Sequence, residues 1–227
     1  MKEYKFISDN IKRLFKNFDD IPHVLRLAKE FFGVEPDLTI ISQNHAFLLD
    51  VNGKKVKARF VDSNNFLHEK ILEESDANVP KVVGRIKYDN SVDLKFSEWI
   101  EGTTWKQQLA TKTVYDEISP KYYYQMGAIL AKIANIKLDE IRYIGMSDIY
   151  WLNFLIKEDE DKVYLTDTNK LYRTPFPEFF IFTQILFHDY TPVEHKEALV
   201  AGYHDFHKKR QDSKWLSTLQ KMIEGML

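Results

Sequence analysis

Apolar residues return at three- and four-residue steps through residues 5–18, at Phe6, Ile7, Ile11, Leu14, Phe15 and Phe18, a spacing that predicts an amphipathic helix. Asp19-Asp20-Ile21-Pro22 then breaks the pattern and marks a new helix start, because proline is tolerated in a first turn and acids suit it. The second helix is expected from about His23 to Phe32, carrying Val24, Leu25, Leu27, Ala28 and Phe31, with Gly33 as its C-cap. From Leu38 the texture changes. Leu38–Ser42 and Ala46–Val51 read as strands, and Asn52-Gly53 joins the second to a third, since a type I′ turn needs positive φ at both central positions. The third strand, Lys55–Val61, alternates Val56, Ala58 and Phe60 against Lys55, Lys57 and Arg59. A helix over about Asn65–Glu74 follows, with Phe66, Ile71 and Leu72 inward and Glu69 among them. Strands Lys81–Lys87 and Val92–Trp99 then meet at an Asp89-Asn90 turn. Residues 38–99 thus form a small antiparallel sheet with one helix inserted after its third strand.

From Gly102 onward the pattern is mostly helical. Tyr122–Ile136 places Tyr123, Met126, Ile129, Leu130 and Ile133 on one stripe, and Pro175–Phe187, Pro192–Phe206 and Ser213–Met226 give three more helices. The one β signal expected in this half is a hairpin, Phe154–Ile156 and Val163–Leu165, around the acidic turn Lys157–Lys162. The class is therefore α+β and two-lobed. Residues 1–36 form an N-terminal helical extension, 37–101 a sheet lobe and 102–227 a helical lobe, with a single crossing segment near Trp99–Gly102.

Composition narrows the function. Lys and Arg number 32 against 34 Asp and Glu, a net charge of −2, which argues against bulk nucleic-acid binding by counterion displacement. There are no cysteines, so disulfides, thiolate catalysis and Cys-ligated zinc are excluded. No stretch approaches the roughly 18 apolar residues of a membrane span, and the first residues lack the apolar region of a secretory signal. The expected compartment is the cytoplasm, with contact to the cytoplasmic face of a membrane left open by the basic run Lys208-Lys-Arg210. His204 and His207 share a helical face, but with no third ligand in view they read as surface residues.

The candidate chemistry gathers at the second hairpin. Asn153 precedes its first strand and Asp167 follows its second, each seven positions from Glu160. Residues equidistant from a turn are neighbours in an antiparallel pair, so the Asn153 amide is expected beside the Asp167 carboxylate. Asp148, five residues before Asn153, can fold back over the same spot. Asp and Asn oxygens suit a hard cation such as Mg²⁺, and a second acid not spent on the metal can take a hydroxyl proton. Turn-flanking Asp and Asn equally serve as caps.

These features occur in an order that resembles the aminoglycoside phosphotransferase and lipopolysaccharide kinase branch of the protein-kinase-like superfamily, over about residues 25–205. Ser97-Glu-Trp-Ile-Glu-Gly102 resembles the family's hinge, and Met126–Ala134 the helix before its catalytic loop. Asp148 to Asn153 has the family's Asp-x4-Asn spacing, and Val163-Tyr-Leu-Thr-Asp167 resembles the strand that ends in a metal-binding Asp. Thr168–Arg173 is similar to a run found in bacterial lipopolysaccharide kinases, and Ala198–Tyr203 to a late Gly-Tyr helix of the phosphotransferases.

The resemblance implies a two-lobed kinase-like fold that uses ATP and Mg²⁺. It implies Asp148 as catalytic base, Asn153 and Asp167 as metal ligands, and Glu69 as the helix carboxylate that orients a cation on the third strand. That cation is Arg59, or Lys57 after a two-residue slip that keeps the same face. Glu98 and Ile100 would offer backbone groups to an adenine, with the hinge at 98–101. The expected acceptor is a small-molecule or sugar hydroxyl, lipopolysaccharide or another glycan included.

The pattern also departs from the family. Residues 41–46 hold no glycine for close approach of backbone N–H groups to phosphate, which leaves the side chains of Ser42, Gln43 and Asn44 as donors. Arg59 stands where the family has Lys, and the two are not interchangeable. Met146 replaces a frequent His two positions before Asp148. A nucleotide-binding pseudokinase is thus the competing reading.

Overall fold

The structure, a computed structural model, describes residues 4–14, 18–42, 46–104, 119–146, 153–168, 171–175, 193–207 and 221. The chain divides into two compact units, Met1–Lys70 with Pro80–Ile100 and Ile71–Val79 with Glu101–Leu227. It therefore passes between them three times, after Lys70, Val79 and Ile100.

The first unit opens with β1 (Lys5–Phe6) and α1 (Asp9–Leu14), followed by α2 (Asp20–Phe32). The helix predicted over 5–18 is thus split. Lys5 and Phe6 pair in parallel with Thr39 and Ile40, and the Ile7 N–H donates to Ile40 O at 2.9 Å. An open sheet edge outcompetes local helix propensity there, and Ser8 then starts α1 by accepting the Ile11 N–H at 3.3 Å. Helix α2 ends as expected, with Gly33 at φ 72° and its N–H bonded to Lys29 O.

Strands β2 (Asp37–Ser42), β3 (Ala46–Val51) and β4 (Lys54–Asp62) follow, then α3 (Phe66–Glu74), β5 (Val82–Lys87) and β6 (Val92–Glu98). The strands form one sheet in the order β1-β2-β3-β4-β6-β5. The β3–β4 turn has Asn52 at φ 54° and Gly53 at φ 81°, the type I′ geometry its sequence demands, and Asp50 Oδ1 accepts the Gly53 N–H at 2.7 Å. One sheet face buries Ile40, Phe47, Leu49, Val56, Ala58, Leu94 and Phe96 against Ile21, Val24, Leu27 and Ala28 of α2. Gly84 on β5 is part of that fit, because a Cβ there would lie 2.1 Å from the Phe31 ring.

The second unit contains β7 (Thr103–Thr104), α4 (Pro120–Ala134), β8 (Tyr143–Met146), β9 (Phe154–Lys157), β10 (Lys162–Leu165), β11 (Leu171–Thr174) and α5 (Val193–Phe206). The expected stripe on α4 is buried, from Tyr123 to Ile133, and packs on Phe154, Ile156, Val163 and Leu165 of the hairpin. The helix predicted over 192–206 is α5, whereas those predicted at 175–187 and 213–226 fall almost wholly outside the described residues. The single β signal expected in this half is corrected: β7 adds to the hairpin in the order β10-β9-β7, and β8 pairs with β11. β7 and β8 pair with segments distant in the chain, so no tight turn marks them as the acidic turn marks the hairpin. Tyr172 covers Gly145, its cross-strand partner, where a Cβ would meet the ring at 2.6 Å.

Helices α4 and α5 touch backbone to backbone. A Cβ on Gly127 would lie 1.9 Å from Leu199 O, and one on Gly202 would lie 1.9 Å from Tyr124 O. Alanine favours an isolated helix by about 1 kcal/mol, but the overlap here is with main chain that cannot swing aside. Gly127→Ala and Gly202→Ala are each expected to lower stability by about 1–3 kcal/mol, measured by urea unfolding. A rise in the unfolding midpoint would contradict this packing.

Candidate functional site

On the sheet face opposite α2, antiparallel register lines up side chains across strands. Ala46 is opposite Arg59, Arg59 opposite Lys95, and Lys95 opposite Arg85. Directly opposite residues share a face, so three cations lie in one row over β4, β6 and β5. Lys57 shares that face two residues before Arg59, opposite Ser97. Like charges at neighbouring positions repel, and the row requires compensation.

Helix α3 supplies it. Asp62 Oδ1 accepts the Asn64 N–H at 2.8 Å, and the Ser63 hydroxyl donates to Asp93 Oδ1 at 2.8 Å, which anchors the start of the helix to β6. One turn later Glu69 is 2% exposed. Its Oε1 accepts from Lys95 Nζ at 2.9 Å, and its Oε2 is bonded to the Arg85 guanidinium. Arg85 also reaches Asp93 Oδ2 at 3.5 Å. A single buried carboxylate thus ties helix to sheet through cations of two strands.

In the second unit the hairpin is held along its outer edge. Val163 N–H donates to Gln125 Oε1 at 2.9 Å, Asn78 Nδ2 donates to Val163 O at 3.1 Å, and Leu165 N–H donates to Asn78 O at 2.9 Å. Gln125 Nε2 also donates to Asp161 O at 2.9 Å, so the turn and the edge strand are fixed to one side chain of α4. These bonds satisfy backbone groups that an edge strand otherwise exposes. On the inner side, Gly102 allows close passage, since a Cβ would lie 2.5 Å from Ile156 O.

The open end of the hairpin differs from expectation by one residue. Phe154 pairs with Leu165, so Asn153 faces Thr166, whose N–H and Oγ1 both donate to Asn153 O, at 2.7 and 3.1 Å. The short helical turn Glu158–Glu160 and the left-handed Asp161, φ 54°, move the symmetry point off Glu160. Asp167 is therefore the residue next to Asn153's partner. Both side chains are half-buried.

Asp148 and Asn44 lie outside the described residues. Ser42 ends β2 opposite Ala46. Glu98 is exposed at the end of β6 and donates its N–H to Lys81 O at 2.8 Å, and Ile100 is half-buried. Lys95 and Arg85, which hold Glu69, are not among the residues that the sequence motifs single out. A signal for one of them exists: in Asp93-Leu-Lys-Phe-Ser97, Lys95 alternates with two core residues and so belongs to the face carrying Arg59. His207, expected at the surface, is 3% exposed and stacks on Tyr203 at 5.2 Å, while His204 is exposed. Among the described residues no three His, Cys, Asp or Glu side chains gather to hold a metal, and no helix is long and apolar enough to cross a membrane.

No protein-family model and no curated protein matches this sequence. The fold does find a match in a thermostable mutant of an aminoglycoside phosphotransferase, solved as a ternary complex with AMP-PNP and hygromycin B. The two agree with a TM-score of 0.57 over 88% of each chain, at 13% identity. At that identity the likeness shows the fold, which is the α+β kinase-like one.

Glu69→Leu leaves the buried Lys95 without its carboxylate and Arg85 without one of its two, and is expected to cost about 3–5 kcal/mol in urea unfolding, with Glu69→Gln milder. Equal stability of Glu69→Leu and the parent would refute a bridging role. At the hairpin turn, the Lys157 ammonium and then the Tyr164 hydroxyl hold Glu160 below the ordinary 4.5, and the Lys121 ammonium holds Asp161 below 3.8. Lowered carboxylates add stability above their ordinary values and lose it as pH falls through the lowered ones. Carboxyl-carbon NMR titration should place both midpoints below those values, and midpoints at or above them would contradict the turn contacts.

Proposed function

We propose that this chain is a phosphotransferase of the kinase fold, moving the terminal phosphoryl group of ATP to a hydroxyl of a small molecule or sugar, a glycan such as lipopolysaccharide included. The observation that carries this reading is the pinned hairpin, which delivers Asn153 and Asp167 within one register step of each other on a fold shared with an enzyme solved around AMP-PNP and an aminoglycoside. One amide and one carboxylate oxygen are a fitting donor set for Mg²⁺, which fills its remaining positions with water and phosphate oxygens. When bound, the ion would neutralise charge on the transferring group.

In this reading Asp148 accepts the acceptor's hydroxyl proton. The hydroxyl oxygen forms a bond to the terminal phosphorus while the bond to the bridging oxygen breaks, and ADP leaves. Arg59, Lys57 and the Glu69 cluster serve the phosphates, with Ser42 and Asn44 as further donors. Adenine is met at residues 98–101. Because the Glu98 N–H is already donated to Lys81 O, its contact with a base uses its carbonyl, and Ile100 supplies the N–H. The ATP and Mg²⁺ of the cytoplasm suit this assignment.

One observation favours a second reading, a nucleotide-sensing module without turnover: segment 41–46 lacks the glycine that eases close approach of backbone N–H groups to phosphate. Thermal shift with AMP-PNP, with and without Mg²⁺, followed by ATP turnover against sugar and aminoglycoside acceptors, separates the two. The enzyme is expected to show Mg²⁺-dependent stabilisation that Asp167→Ala abolishes, and turnover that Asp148→Ala reduces at least about a hundredfold while binding persists. Binding without turnover on any acceptor supports the sensing module. No stabilisation at millimolar nucleotide defeats both.

A further inference from the structure

Resting on that reading, the geometry points to Lys95 on β6, rather than a residue of β4, as the lysine that joins the buried helix carboxylate to the phosphates of a nucleoside triphosphate. In a kinase site the carboxylate of the inserted helix orients a lysine on the third strand of the sheet's main run. Here the ammonium on Glu69 Oε1, at 2.9 Å, comes from the neighbouring strand. The position is directly across the ladder from Arg59, so the substitution of one strand for the other displaces the charge by about one interstrand step.

The second observation is the unused capacity of that ammonium. The Lys95 side chain is only 10% exposed. A lysine ammonium carries three N–H donors. Among the described residues Lys95 Nζ has one acceptor, Glu69 Oε1. Among the described residues two donors of this buried cation are therefore left for another acceptor, and leaving them unmet is costly. Arg85 is shared between Glu69 and Asp93, and this bridge braces the carboxylate against β6. Glu69 splits its two oxygens accordingly, one on the holding cation and one on the donating cation. An oxyanion with several acceptor oxygens, close to the Arg59 position, completes the set, and a polyphosphate chain has that chemistry. The departure of Arg59 from lysine is then accounted for, because the lysine stands one strand away.

Calorimetric titration of the full chain with AMP-PNP and with adenosine, which lacks phosphates, tests the assignment. Lys95→Met is expected to weaken AMP-PNP binding about ten- to a hundredfold, toward the affinity of adenosine, and to leave adenosine binding unchanged. Lys95→Arg keeps the charge on Glu69, secures the fold, and should fall between the two. If Lys95→Met does not fold, Lys95→Gln carries the same expectation. AMP-PNP affinity unchanged in these variants, or an equal loss for AMP-PNP and adenosine, overturns the assignment while leaving the phosphotransferase reading intact. If the parent protein binds neither ligand, that reading fails and this assignment falls with it.

Discussion

A buried carboxylate held between two cations organises the first unit. Glu69 is almost wholly out of water, and the cost of putting it there is met by Lys95 and Arg85. Each cation sits in a row that would repel itself without the helix, and the helix would carry an unpaired buried charge without the row. The contact therefore specifies one placement of α3 on the sheet, while the opposite sheet face is occupied by the apolar packing of α2. Apolar burial holds that layer together without direction. The ion cluster supplies the direction.

The second unit reaches comparable definition by other means. Among the described residues its hairpin rests on amide hydrogen bonds where the first unit uses a buried ion pair. The side chains that hold the β10 edge also serve elsewhere, since Gln125 belongs to the core helix α4 and Asn78 to the segment after α3. The α4–α5 crossing relies on two glycines that let main chains meet. Loss of a side chain is not the risk there; gain of one is. These constraints fix the ends of the hairpin and so the backbone from which Asn153 and Asp167 project.

Much of the fold is legible in the sequence because it follows strong local rules. Asn52-Gly53 dictates a turn type, Gly33 a helix end, and the stripe on Tyr122–Ile136 a buried face. What escapes a local reading is decided at a distance. The strand pairing of Lys5 and Phe6 depends on a free edge more than thirty residues away in the chain. Strands β7, β8 and β11 find partners far along the chain, with no tight turn to announce the pairing. The hairpin register differs by one from an even split because a helical turn and a left-handed Asp161 do not divide the loop symmetrically. For the candidate site, Glu69 is legible as a carboxylate among inward-facing residues. Its partners are not, since a helix-to-strand ion pair depends on which strands flank the helix. The alternation in β6 places Lys95 on the correct face, but the neighbouring strand holds two more obvious cations.

The most direct measurement is a crystal structure of the full chain with AMP-PNP and Mg²⁺. The expected result has phosphate oxygens within hydrogen-bond reach of Lys95 Nζ while that ammonium still holds Glu69, with the metal on Asn153 and Asp167. A nucleotide whose phosphates contact only β4, with Glu69 and Lys95 closed on each other and the metal elsewhere, would contradict the account.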